Sequence, residues 1–310
     1  MTLDLLYLGA GVILAAAGGE LFVRGLVGLA AWARVPAGVI GATVAAFATS
    51  SPELTVAVTA AAEGRPEIAL GDALGSNLVN IGLVVGLVLL LGVSEATRLS
   101  LRDATTALGL ALGLLLLLLD GDVSRLDGLV LLIAFSAWIV VTTKAALRGR
   151  SDIVETVGER RHGRSIGEAL IGLVLLVAAG RSLVAGAQGI GEELGISTFI
   201  VGVVLVSLGT SLPELATAIV SRVRGHAELG ISTALGSNIF NTAFIVGIAA
   251  VAAPIEVAPR EAAVSLLAAA AMIPVLVVGS RDKPLRRWRG AVLVGAYAVA
   301  LLLTLLADRA

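Results

Sequence analysis

Ten runs of mainly apolar residues, each about as long as the roughly 20 residues that cross a bilayer, follow one another along the chain. They lie near 3–32, 37–62, 67–92, 100–119, 126–146, 166–192, 197–222, 228–253, 261–280 and 288–307. Hydrocarbon offers the backbone no hydrogen-bond partners, so each run must satisfy its own N–H and C=O groups as a helix. With 57% hydrophobic and 15% charged residues, the composition lies far outside the soluble-globular range. An all-α multispanning membrane protein is therefore expected. The net charge of -1 supplies no basic footprint for nucleic acid. Without cysteine there are neither disulfides nor thiolate metal sites. The segment Met1–Asp4 lacks the basic region of a cleavable signal, so the first run is expected to be a retained span.

Inside the second run stands Thr49-Ser50-Ser51-Pro52-Glu53, and inside the seventh Thr210-Ser211-Leu212-Pro213-Glu214. A proline removes a backbone donor and clashes one turn back, and a carboxylate resists leaving water. Both insults recur at matching places, which points to a site. Adding 161 carries Pro36–Gly86 onto Ser197–Gly247 without a gap, and 17 of the 51 pairs are identical. The identities gather at Gly41, Thr49, Ser50, Pro52, Glu53, Ala73 to Asn77 and Asn80 with their counterparts. The chain thus reads as a duplicated five-span unit: residues 1–146, a linker at 147–164, and residues 165–310.

Five is odd, so the second copy enters the membrane from the side opposite the first. The expected fold is ten helices in two inverted five-helix repeats, with broken helices 2 and 7 at the core. Inverted repeats of this kind are characteristic of secondary transporters, which bind substrate near the midplane. Four basic residues lie in the loops and tail on the side of the termini, and 16 lie in the opposite loops. Arg24 and Arg181, inside spans, complete the 22. The positive-inside rule then puts both termini outside and the 147–164 linker in the cytoplasm.

Pro52 cannot donate to the carbonyl of Ala48, nor Pro213 to that of Gly209. Carbonyls freed at membrane depth are tolerated where they line a cavity, and there they serve as ligands. Around the breaks stand Thr49, Ser50 and Glu53, and Thr210, Ser211 and Glu214; the third and eighth runs add Ser76, Asn80, Ser237 and Asn241. Every donor is oxygen or amide, which suits hard cations, whereas imidazole and thiolate select transition metals. Two carboxylates balance one calcium ion or two sodium ions. Glycines 41, 75, 202 and 236 read as close-packing residues, Asn77 and Asn238 as either ligands or interhelical ties. The glycine-rich first and sixth runs suit close helix contact, and the leucine run at 108–119 is expected to face lipid. Glu20 and Arg181, equivalent under the repeat, are candidates for an ion pair.

The doubled motif, Gly41 to Glu53 with Gly71 to Asn80 and Gly202 to Glu214 with Ser232 to Asn241, resembles the two alpha repeats of the calcium/cation antiporter superfamily. Its prokaryotic sodium/calcium exchangers are the nearest likeness, and the resemblance extends over nearly the whole chain. It implies a multi-pass protein of the cell (inner) membrane that is a transporter, not an enzyme. Calcium and sodium are its transported ions, it has no cofactor, and one calcium competes with about three sodium ions during alternating access. Carried over by position, Glu53 and Glu214 are carboxylates shared by calcium and sodium. Thr49 and Thr210 offer backbone carbonyls to calcium. Ser76 and Ser237 line flanking sodium sites that the carbonyls of Ala46 and Ser207 complete. Ser50 and Ser211 support the site, and Asn80 and Asn241 approach its middle. The first and sixth spans are expected to slide as a pair.

This chain departs from the family pattern at two positions. Asn241 stands where some prokaryotic and potassium-dependent relatives carry aspartate, which removes one potential charge. Asp72 stands where asparagine is common, one turn before Ser76, and is expected to attract cations at the outer end of the pathway. A proton/calcium antiporter of the same fold is the alternative reading, because a buried glutamate can exchange a proton for a cation. An intramembrane protease is more remote: its acids share a proton, but they would be aspartates. The oligomeric state is left open by the sequence.

Overall fold

A computed structural model describes residues 2–32, 50–93, 98–148, 162–223, 227–278 and 284–307. Among the described residues the architecture is helical, apart from one pair of two-residue strands. The first long helix is α1 (Thr2–Trp32). A shorter one, α2 (Ser51–Ala62), begins at the Pro-Glu motif. Next, α3 (Pro66–Leu90) passes through a π segment at Val79–Val85. Then come α4 (Arg98–Leu117), β1 (Asp122–Val123) and α5 (Arg125–Arg148). The second half opens with α6 (His162–Leu194), followed by α7 (Thr198–Thr210) and α8 (Leu212–Val223). A ninth helix, α9, runs from Ala227–Ile239 through a π segment at Phe240–Ile245 into Val246–Ala252. The chain closes with β2 (Ile255–Glu256), α10 (Pro259–Val277) and α11 (Arg287–Ala307).

Among the described residues, eight helices are long and apolar enough to span a bilayer, and the bent pair α7–α8 makes nine. The expected second span, 37–62, is described only from Ser50, so the tenth falls partly outside the described residues. Boundaries repeat at the offset read from the sequence. Adding 161 moves Ser51–Ala62 onto Leu212–Val223 and Pro66–Leu78 onto Ala227–Ile239, and it places both π segments at equivalent positions. Local sequence explains some of these limits. Proline opens α3 and α10 at a position where its missing N–H has no intrahelical partner to lose. Gly121, at φ 88°, makes the left-handed turn that leads the chain from α4 into β1.

Burial sorts the helices by depth. In α3 and in α9, 83% of the apolar stretch is buried inside the protein, against 17% in α5. The two central helices are thus walled from lipid, with α7 and α11 packed on α3, and α4 and α5 on α9. Phe135 of α5 meets Phe240 edge-on at 5.5 Å and Phe244 at 4.9 Å, closing the seam against the π segment of α9. The leucine run divides rather than facing lipid as a whole. Leu116 and Leu119 are 67% and 70% exposed, but Leu114 and Leu118 are buried, because α4 also packs on α10.

Lining the long contact between α1 and α6 are glycines from both helices. A Cβ at Gly172 would meet the Phe22 nitrogen at 2.3 Å and the Gly18 oxygen at 2.8 Å, and one at Gly18 would meet Leu175 and the Gly172 oxygen. Small residues here let the backbones touch, as the first and sixth runs suggested. The ion pair expected between Glu20 and Arg181 is replaced by one within α1. Glu20 pairs with Arg24 one turn on, a shorter reach than across to α6, and Arg181 lines a groove with Tyr7, Glu63 and Ser182.

At one end of the bundle, antiparallel pairing of β1 with β2 sets Asp122 opposite Glu256. Asp122 Oδ1 is buried without a hydrogen-bond partner. Burial, followed by the charges of Asp120, Glu256 and Asp127, raises the Asp122 carboxyl above its ordinary value. The folded protein then binds a proton that the unfolded chain has already released, so this group's contribution to stability falls as pH rises through that window.

Two substitutions probe these contacts by melting of the detergent-solubilised protein. Gly172→Ala is expected to lower stability by about 1–3 kcal/mol through overpacking, whereas Gly109→Ala, at an open position of α4, leaves it unchanged or slightly raised. Asp122→Asn is expected to stabilise at neutral pH by about 0.5–1 kcal/mol. That gain should fade as pH is lowered towards the ordinary aspartate value of about 4.

Candidate functional site

Both glutamates sit in the first turn of a helix, Glu53 in α2 and Glu214 in α8, and each of these helices follows a non-helical serine. Ser50, preceding α2, has φ -92° and ψ 16°; Ser211, preceding α8, has φ -85° and ψ 5°. Neither is helical, and at Ser211 the axis bends by 41° between α7 and α8. Proline two residues on explains the shared geometry, since it fits a helix's first turn and not its interior. Glu53 and Glu214 thus face the positive end of a helix dipole, which favours a carboxylate there. Both are buried, at 0% and 2% exposure.

The two breaks are joined crosswise. Ser50 Oγ donates to Glu214 Oε1 at 3.4 Å, and Ser211 Oγ donates to Glu53 Oε1 at 3.4 Å. Each motif serine therefore orients the other motif's carboxylate, and the two halves contribute equally. On α3, Ser76 Oγ lies 3.4 Å from Thr210 Oγ1, and Glu53 lies against both hydroxyls. Thr210 Oγ1 also lies within donating distance of the Ser207 carbonyl, at 3.3 Å, and of Asp72 Oδ1, at 2.9 Å. Close backbone approach makes this possible: a Cβ at Gly75 would meet the Val203 oxygen at 2.3 Å and Ser207 Oγ at 2.5 Å. A Cβ at Gly202 would meet the Ile68 oxygen at 2.9 Å and the Asp72 nitrogen at 3.0 Å.

Asn80 and Asn241 occupy equivalent places in the two π segments, fully buried, with neither amide atom hydrogen-bonded. A π turn inserts a residue into the helix and recurs at functional sites. Glu53 Oε2 is likewise buried without a partner. Buried polar atoms that no protein group satisfies are costly, and in a set of carboxylate, hydroxyl and amide oxygens they suit a hard cation. Ser237 is buried with the others. Thr49 and Ala46 lie outside the described residues. Among the described residues, no three acidic or histidine side chains gather around one point.

Asn77 and Asn238 resolve as ties between the halves. Asn77 Nδ2 donates to Thr242 Oγ1 at 2.7 Å, and Asn238 Nδ2 donates to the Asn77 carbonyl at 3.2 Å. Thr242 was not legible in the sequence, because its counterpart under the repeat is Ile81 and nothing in the motif marks it. Asp72, expected to attract cations at the outer end of a pathway, is fully buried beside Thr210.

Residues 3–144 and 165–306 match the family described as sodium/calcium exchanger protein. The chain is 30% identical to inner membrane protein YrbG of Escherichia coli (strain K12), over 86% of each chain. It is 26% identical to the sodium/calcium exchanger MaX1 of Methanosarcina acetivorans, over 97% of this chain and 98% of the other. A solved structure of the sodium-calcium exchanger NCX_Mj, soaked with Na+ and Sr2+, matches with a TM-score of 0.68 at 28% identity, covering 97% of this chain and 98% of that one.

The tie at Asn77 is open to a double-mutant cycle. Asn77→Ala and Thr242→Ala are each expected to cost about 1–3 kcal/mol of stability, and the double variant less than their sum. Strict additivity in melting measurements would show that the two side chains do not interact.

Proposed function

We propose, from the premise that this chain belongs to the sodium/calcium exchanger family, that it is a secondary antiporter moving calcium against sodium by alternating access. Family membership makes it an ion exchanger rather than an enzyme. The observation that carries the finer reading is the reciprocal pairing of Ser50 with Glu214 and Ser211 with Glu53. It joins two buried carboxylates, one from each half, at a site rich in oxygen ligands. Two such charges cannot remain uncompensated in a low-dielectric interior. One calcium or two sodium ions neutralise them equally, so the two ions compete for the same oxygens and transport becomes exchange.

In this reading the ten spans form two inverted repeats, residues 1–146 and 165–310, joined by the cytoplasmic linker at 147–164. Both termini lie outside the cell membrane, as the distribution of basic residues requires. Glu53 and Glu214 hold calcium together with the backbone carbonyls of Thr49 and Thr210. Ser76, Ser237 and the carbonyls of Ala46 and Ser207 hold flanking sodium, with Ser50, Ser211, Asn80 and Asn241 orienting the set. The tight glycine contact between α1 and α6 supplies a smooth interface along which the pair slides against the core.

Reconstitution into liposomes tests the coupling ion. Calcium uptake is expected when an outward sodium gradient is imposed, and not with a proton gradient alone; uptake that follows protons and ignores sodium would assign the proton/calcium alternative. Glu53→Gln and Glu214→Gln keep shape and remove charge, so each is expected to abolish exchange while the purified protein stays folded. Full activity in both variants would place the site elsewhere.

A further inference from the structure

We propose that Asp72 is a cation ligand, which adds a third carboxylate to one flank of the site and leaves the opposite flank neutral. The inference rests on the cation-exchange reading above and extends it to a residue of the motif that the second repeat does not share.

Asp72 lies on α3, one turn before Ser76, and is 0% exposed. Its Oδ1 accepts from Thr210 Oγ1 at 2.9 Å, and its Oδ2 has no hydrogen-bond partner. The single proton of Thr210 is also within reach of the Ser207 carbonyl at 3.3 Å, so Asp72 does not command even that donor fully. A buried carboxylate is ordinarily held by two or three donors or by a basic partner. Among the described residues, no lysine or arginine pairs with it. Glu53 lies against the same two hydroxyls, Ser76 and Thr210, so a second acid adds repulsion. Among the described residues, no basic side chain offsets this charge; a bound cation would.

The surrounding oxygens define which cation. One carboxylate with the Thr210 and Ser76 hydroxyls and the Ser207 carbonyl carries a single negative charge, which a monovalent hard cation such as sodium balances. Asp72, Glu53 and Glu214 do not converge on one point, so Asp72 serves a position beside the carboxylate pair.

The asymmetry follows from the repeat. Adding 161 to Asp72 gives Thr233, although the neighbouring Ser76 and Asn80 map onto identical residues. One flank therefore carries charge where its counterpart carries a hydroxyl. A monovalent ion on the Asp72 flank is bound more tightly than one on the Thr233 flank, and the two steps of sodium binding separate in concentration.

Melting of the purified full-length protein against sodium and, separately, calcium tests this. Asp72→Asn is expected to melt higher than wild type in the absence of both ions, because an uncompensated buried charge has been removed. Its sodium midpoint should rise about tenfold, with the Hill coefficient for sodium falling by about one and calcium stabilisation retained. Should the asparagine variant not fold, Asp72→Ser carries the same expectation. An unchanged sodium midpoint and Hill coefficient, or a lower melting temperature without ions, would overturn the role of Asp72 and assign it to packing. A wild type indifferent to both ions would overturn the exchange reading and this role together, whereas a responsive wild type with an unaltered variant overturns this role alone.

Discussion

Two carboxylates buried at membrane depth are the constraint on which the rest of the structure depends. A charge of that kind is expensive in hydrocarbon, and the fold answers the cost in layers. Breaking the helix puts each glutamate at a helix N-terminus, where the dipole opposes its charge. The crossed serine bonds orient both carboxylates, and α3 and α9, with their ring of neighbours, keep lipid away.

Crowding oxygen ligands requires backbones to approach closely, which side chains oppose. Gly75 and Gly202 solve this at the core by admitting a carbonyl or a neighbouring backbone where a Cβ would clash. The same device, spread along α1 and α6, has a different result. There it makes a close contact between two long helices whose apolar stretches are largely exposed. The π segments carry Asn80 and Asn241 at equivalent positions.

Symmetry is nearly complete in the ligands and broken in the charge. Ser50, Glu53, Ser76 and Asn80 each have an identical counterpart, but Asp72 is matched by Thr233. A two-fold site treats cations on both flanks alike. An extra carboxylate on one flank ranks them, and that ranking is a physical route to an ordered sequence of binding.

The sequence by itself determined the helical class, the duplication at an interval of 161, the breaks at Ser50 and Ser211, and the buried acids. Those features are local: periodic apolar runs, a proline that cannot sit within a helix, and repetition are all visible without contacts. What only the tertiary structure decided is which groups meet. The crossed pairing of Ser50 with Glu214, the tie from Asn77 to Thr242 and the placement of Asp72 against Thr210 join residues more than 130 positions apart. Glu20, by contrast, pairs with Arg24 four residues on within α1, and not with its repeat equivalent Arg181. Spacing along a chain specifies what each helix presents; only packing between helices selects the partner, because hydrogen bonds and charges act over a few ångströms of space and carry no information about sequence distance.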